Sequence, residues 1–219
     1  MGRPSRKDLR EGPRFLGDLT ALLSHDIKNV LAIINENAGL LEDFAFMAAN
    51  SDPIDSQPID PKRLAAVAGK IRQQVHRADR MIKQLNQVGH SVDRSWASVD
   101  LDETVNTLCA LAGRKAAMKS VTLSVSPSTD GANIKSDPFI LQQLIWYCLN
   151  GAIGMSLKST LAIDIQTTAD GCDIGFSPLE TLDQIENMMG NESPNRWLAL
   201  LKGHWKVDRE HHLLMVRLP

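Results

Sequence analysis

Two apolar seams at heptad-like spacing, one on each side of a short polar stretch, restrict this chain more than any other feature. From Phe15 to about Met47, Leu16, Leu19, Leu23, Ile27, Val30, Ile34, Leu41 and Phe44 recur on one stripe, and Asn37 falls on it too. Residues at such spacing share a helix face, so the pattern predicts one long helix. The stretch "ANSDPIDSQPIDPK" crowds Pro, Asp, Ser and Asn together and predicts a loop, with Asp60 placed to cap a second helix that has Pro61 in its first turn. That helix carries Leu64, Val67, Ile71, Val75, Ala78, Ile82, Leu85 and Val88 on its stripe, with Arg, Lys and Gln elsewhere. A lone antiparallel hairpin leaves its seam in water, whereas two copies enclose it in a four-helix bundle. The expectation is a homodimer through residues 15–94, preceded by a solvated tail over residues 1–14.

Composition gives no support to several classes of partner. In 219 residues, 43% hydrophobic content is enough for real cores, and a formal charge of −2 without a long Lys/Arg block gives no electrostatic reason to expect nucleic acid or a membrane surface. No apolar run is long enough to span a bilayer and no signal-like stretch opens the chain, so the expected location is the cytoplasm. Cys109, Cys148 and Cys172 are odd in number, far apart and set in apolar contexts. They are expected to be buried thiols, with neither a disulfide framework nor a metal site.

After "SVDRSWASVD" the pattern changes. Leu101 to about Met118 predicts a helix, "SVTLSV" a strand, Pro138 to about Ser156 a helix, and "TLAIDIQTTADGCDIGF" two strands turning at Asp170-Gly171. A helix around Pro194 to Gly203 leads to a last strand, "HLLMVRLP". The predicted fold class is α+β: a helical hairpin, then a two-layer α/β sandwich over residues 98–219.

Chemistry is concentrated in the first helix. His25, Asn29, Ala32 and Glu36 line one stripe beside the seam, with Asp26 next to His25 and Lys28 close by. A carboxylate accepting a proton from one ring nitrogen fixes the tautomer and makes the other nitrogen the better nucleophile, while the Asn29 amide is within reach to orient a water or a phosphoryl oxygen. On spacing alone, plain solvated surface is the commoner meaning of an exposed histidine on an amphipathic helix.

The string "SHDIKNVLAIINENAGLLE" resembles the phosphoacceptor box of two-component sensor histidine kinases, and the hairpin, loop and second helix are similar in length and order to the dimerisation and phosphotransfer domain of that family. The resemblance implies that His25 is the phosphorylated histidine, Asp26 the adjacent acid and Asn29 the residue that helps dephosphorylate a partner. Lys28, Ala32 and Glu36 then belong to the surface that meets a response-regulator receiver domain. "VDLDETVNTLCALAGRKAAMKSVTLSV" and "SDPFILQQLIWYCLNGAIGMS" are similar to the opening and the signature helix of the family's ATP-binding domain.

Departures from that pattern decide the expected function. Aligning Asp137-Pro138, Leu141, Gln143 and Ala152 puts Tyr147 and Gly151 where the family has two asparagines that hold magnesium and phosphates, and Asn150 is one residue out. Asp173 and Gly175 keep only a remnant of the Asp-x-Gly-x-Gly turn, and no later Gly-x-Gly pair is present. By default Gly151 and Gly154 are close-packing positions, Trp146 and Tyr147 core or interface aromatics, and His211-His212 a polar turn. The resulting expectation is a dimeric histidine phosphotransferase that exchanges phosphoryl groups with receiver aspartates and uses no cofactor. The alternatives left open are an atypical sensor kinase with its own ATP site and a non-catalytic dimeric adaptor.

Overall fold

The computed structural model describes residues 8–50, 60–129 and 131–219, with side chains from residue 12 onward. The described chain forms two compact units, one ending at Asn86 and the other running Gln87–Pro219.

In the first unit, helix α1 (Asp8–Asn50) and helix α2 (Pro61–Gly89) carry the two seams. Asp60 opens α2, its carboxylate accepting from the Lys62 N–H at 2.9 Å, ahead of a proline whose missing N–H costs nothing at a helix start. The Arg63 guanidinium lies 5.6 Å from the centre of the Phe44 ring, linking the start of α2 to the end of α1. Two corrections to the sequence reading emerge. α1 begins at Asp8, inside the segment read as a tail; the expected loop after Asn50 falls largely on residues outside those described.

The second correction concerns α2, whose single expected seam is two stripes. Val67, Met81 and Val88 are buried, while Leu64, Val75 and Ile82 are 36%, 50% and 48% exposed. At 100° per residue the exposed three fall within about 20° of one another and roughly 100° from the middle of the buried row. Heptad spacing merges adjacent rows because its period falls just short of the helix's own, and only burial separates them. On α1 the buried row is Leu19, Leu23, Val30 and Asn37. The Asn37 amide meets the cost of burial by donating to the Ile33 carbonyl at 2.7 Å.

The second unit is a two-layer sandwich, as expected. In chain order it holds β1 (Ala97–Asp100), α3 (Leu101–Met118), β2 (Thr122–Ser126), β3 (Asn133–Ser136), α4 (Pro138–Gly154), β4 (Thr160–Thr168) and β5 (Gly171–Ser177), then α5 (Leu182–Met189), α6 (Glu192–Leu201), β6 (His204–Asp208) and β7 (Leu213–Leu218). A five-stranded sheet runs β2-β4-β5-β7-β6, parallel only between β2 and β4, and β1 and β3 form a separate antiparallel pair. Its inner face presents Leu161, Ile163, Ile165, Ile174, Phe176, Leu214 and Val216, all buried. α3 and α4 cover that face. α4 is apolar on almost every side, as a helix enclosed in a core must be. Asp137 caps it, its carboxylate accepting from the Phe139 and Ile140 N–H groups, both at 3.0 Å.

The β4–β5 turn falls at Asp170-Gly171 as predicted, and it requires glycine. Gly171 has φ +143°, and a Cβ there would lie 2.0 Å from the Leu218 carbonyl oxygen. Strands β1, β3 and β6 and helix α5 have no counterpart in the sequence reading, which placed only a linker or a connection there. They are four to eight residues long, too short for a periodic apolar signal to stand out.

Candidate functional site

His25 lies midway along α1 and is exposed, as are Lys28, Asn29, Ala32 and Glu36; Asp26 is half-buried. Asn29 follows His25 by one helical turn, and its Nδ2 lies 3.2 Å from the ring Nδ1. The structure thus brings His25 and Asn29 into direct contact and places Ala32 and Glu36 further along the same exposed stripe. The ring is exposed, and its Nδ1 is in contact with the next turn of its own helix. That arrangement suits transfer of a group to or from a partner that supplies the rest of the chemistry.

The other residues singled out in the sequence lie on α4 and β5. The Tyr147 hydroxyl donates to the Met188 carbonyl at 3.1 Å, and its ring meets Trp197 edge-on with centroids 5.7 Å apart. A Cβ on Gly151 would lie 2.2 Å from Met188 Sδ and 2.7 Å from its Cε, so the thioether fills the space a side chain there would take. Gly151 is a close-packing position; Gly154 is not, since a Cβ there would meet no heavy atom within 4 Å. Asn150 bonds at both ends of its amide, accepting from the Lys115 ammonium and donating to the Trp146 carbonyl at 2.8 Å. The Asp173 carboxylate is buried in the sheet and accepts from Arg217 Nε at 2.6 Å across the β5–β7 pair.

Met188 and Trp197 are the contributions that sequence reasoning missed. The signal was available in α5, where Leu182, Ile185 and Met189 stand at steps of three and four, but nothing in the sequence indicates which face of α4 this short helix meets.

The remaining groups are structural. Burial pushes the Cys109 and Cys148 thiols up to about 12, and Cys172 is buried and also raised. His211 and Asp208 pair at 2.9 Å in the β6–β7 turn, which raises the imidazole and lowers the carboxylate from their ordinary values. His212 Nδ1 lies 3.0 Å from the Leu179 carbonyl. Among the described residues no three His, Cys, Asp or Glu side chains converge as a metal site would require, and no helix is long and apolar enough to cross a membrane.

Against known proteins, the chain is 26% identical over 174 residues to the sensor histidine kinase ZraS of Klebsiella oxytoca, a match covering 76% of this chain and 35% of that one. The similarity is thus to a sensor histidine kinase. It spans about a third of the length of that relative. No family model matches. Among solved structures, the chain resembles the histidine kinase AdeS of Acinetobacter baumannii, with 12% identity, a TM-score of 0.47, and coverage of 89% of this chain and 96% of that one. It also resembles the ATP-binding domain of PrrB from Mycobacterium tuberculosis, with 14% identity, a TM-score of 0.48, and coverage of 57% and 98%. Structural likenesses at this level carry nothing about what the chain binds.

Proposed function

We propose that this chain is a dimeric histidine phosphotransferase of a two-component phosphorelay, passing a phosphoryl group between His25 and the aspartate of a response-regulator receiver domain without an ATP site of its own. The observation that carries the reading is the closure of α4. Where the resemblance requires two asparagines for a magnesium nucleotide, Tyr147 is bonded to the backbone of α5, and Gly151 is covered by Met188 of the same helix. Neither residue offers a ligand to a metal or a donor to a phosphate. The residues present do not fit a magnesium nucleotide.

Phosphotransfer needs less. A receiver domain brings its own acidic pocket and divalent ion, so the histidine partner has to supply an exposed imidazole and a surface to dock on. His25 is that imidazole in this reading, and Lys28, Ala32 and Glu36 form the docking surface, with Ala32 small enough to let the partner's aspartate approach. The exposed row Leu64, Val75 and Ile82 is the face on which a second copy packs, since large apolar side chains aligned along one exposed helix face suit an interface. Residues 15–94 then make up the dimerisation and transfer hairpin, residues 98–219 a degenerate ATP-binding-type domain, and the protein works in the cytoplasm.

A second reading, an ATP-dependent kinase with an atypical site, is favoured by the 26% identity to a sensor histidine kinase. Calorimetric titration with Mg-ATP separates the two, together with incubation against phosphorylated receiver domains. The phosphotransferase reading expects no saturable ATP binding and an acid-labile label that His25→Gln abolishes. Micromolar ATP binding would replace it with the kinase reading, and label retained by His25→Gln would remove His25 as the acceptor.

A further inference from the structure

We propose that the open side of β2 is a docking site for an extended segment of another protein, apolar at alternate positions and acidic at its C-terminal end; the inference stands apart from the phosphotransfer reading. β2 is an edge strand of the five-stranded sheet, with β4 on one side and no described strand on the other. Its pairing with β4 is parallel, and the Thr122 N–H donates to the Ser159 carbonyl at 2.6 Å. Backbone groups alternate in direction along a strand. Thr122, Ser124 and Ser126 therefore face β4, while the N–H and C=O of Leu123 and Val125 face outward. Register beside the buried Leu161 and Ile163 puts the Leu123 and Val125 side chains on the inner face of the sheet, where α3 lies.

Between this edge and α3 runs a groove of about 530 Å³. Ala110, Gly113 and Ala117 form its α3 wall, and Val121, Leu123 and Val125 its β2 side. The three wall residues are exposed, and a Cβ on Gly113 would meet no heavy atom within 4 Å, so the groove has room for side chains from outside. The far edge of the same sheet is built otherwise. β6 carries His204, Lys206 and Asp208, and charged side chains discourage a further strand, whereas β2 carries only hydroxyl and apolar ones. An incoming strand pairs with the outward groups of Leu123 and Val125 and sends alternate side chains into the groove.

Charge fixes its direction. Lys119 and Lys158 are exposed and flank the Thr122–Ser159 bond, at the end where β2 begins. A strand added antiparallel to β2 has its C-terminal end there, so carboxylates at that end meet the two ammonium groups. A second copy of this chain is a poorer occupant. Two-fold pairing of one β2 edge with another sets groove against groove with nothing to fill either, and unfilled volume forfeits packing.

The test is fluorescence polarisation of the whole chain with a labelled probe peptide, Ser-Val-Thr-Val-Ser-Asp-Asp with a free C-terminus. Saturable binding is expected. N-methylation of the two valine amides, which removes the donors facing β2, should weaken it by roughly tenfold. Gly113→Leu fills the groove and should abolish binding while leaving the thermal midpoint in place, because the space beside Gly113 is open. Lys119→Glu combined with Lys158→Glu should weaken binding by roughly tenfold and remove its salt dependence. Amide hydrogen exchange gives the local readout, with Leu123 and Val125 slowed by the bound probe. No saturable binding, or binding that Gly113→Leu leaves intact, overturns the proposal. Equal affinity for a probe ending in two lysines overturns the acidic assignment. Self-association of the parent that Gly113→Leu abolishes gives the groove to a second copy and overturns the proposal as well.

Discussion

The two stretches that carry the resemblance to histidine kinases are built in opposite ways. Around His25 the side chains proposed to act stand on the outside of α1, and the contact to Asn29 comes from the next turn of the same helix. Around Tyr147 and Gly151 every polar or open position is engaged from elsewhere, by the Met188 carbonyl, the Met188 thioether and the Trp197 ring. The stretch proposed to meet a partner is left in solvent, whereas on α4 the positions aligned with the family's asparagines are half-buried and engaged by α5 and α6.

The comparison breaks most visibly if the open half is not an interface. Introducing Glu at both Val75 and Ile82 would bury carboxylates in an apolar dimer face, at a cost of several kcal/mol, enough to leave a folded monomer at ~10 μM. Sedimentation that shows the parent protein already monomeric there would remove the dimer from the proposal. A smaller effect tests the closed half. Gly151→Asn must displace the Met188 side chain and overpack its position, so its expected cost is about 2 kcal/mol in chemical denaturation. Gly151→Ala displaces only the end of a flexible side chain and gains helix propensity, leaving stability within about 1 kcal/mol of the parent.

The thiols sharpen the same contrast through pH. Cys148 is pushed from 9.0 up to about 12 by burial in α4. Below pH 9 the thiol is protonated in both states and stability does not depend on it. As pH rises above 9 the unfolded chain loses the proton first, so stability falls until the folded thiol also ionises near 12. By pH 10 this thiol's share is about 1.4 kcal/mol. The parent's denaturation free energy between pH 8 and 10 should therefore fall more steeply than that of Cys148→Ala, and equal slopes would show that α4 is less enclosed than described. The smallest effect belongs to the exposed pair in the β6–β7 turn. Asp208→Ala should lower the His211 titration midpoint, followed by proton NMR, without a measurable change in stability. The raised imidazole value means that the pair's contribution is complete below the ordinary histidine value and lost as pH rises past the folded one.

Much of this was legible in the sequence, for reasons tied to particular residues. Long helices announce themselves by repetition, so α1, α2, α3 and α4 could be read with only their ends displaced, and the Asp170-Gly171 turn could be read because only glycine suits its backbone. The face shared by His25 and Asn29 followed from spacing, but the direction of their hydrogen bond did not, since an amide offers either end. Nor did the contact of Met188 with Gly151, because the periodicity of α5 fixes its apolar face and says nothing of which helix that face meets. The two rows on α2 were read as one because their residues are equally apolar and differ only in what lies against them.

One feature of the sheet bears on the order in which the molecule assembles. β4 and β5 are adjacent in the chain and pair through a tight turn, so their register from Ala162↔Ser177 to Thr168↔Gly171 closes little loop. β2 instead pairs in parallel with β4, Thr122 opposite Thr160, across an intervening segment that includes the whole of α4. Loop closure of that length has to be met before the strand is rewarded for docking. The β4–β5 hairpin is thus the natural nucleus and β2 a late arrival, expected to give near-zero φ-values at Val125 and high ones at Ile165. Until β2 docks, the edge of β4 stands bare, and that interval is when a newly made chain is most exposed to aggregation.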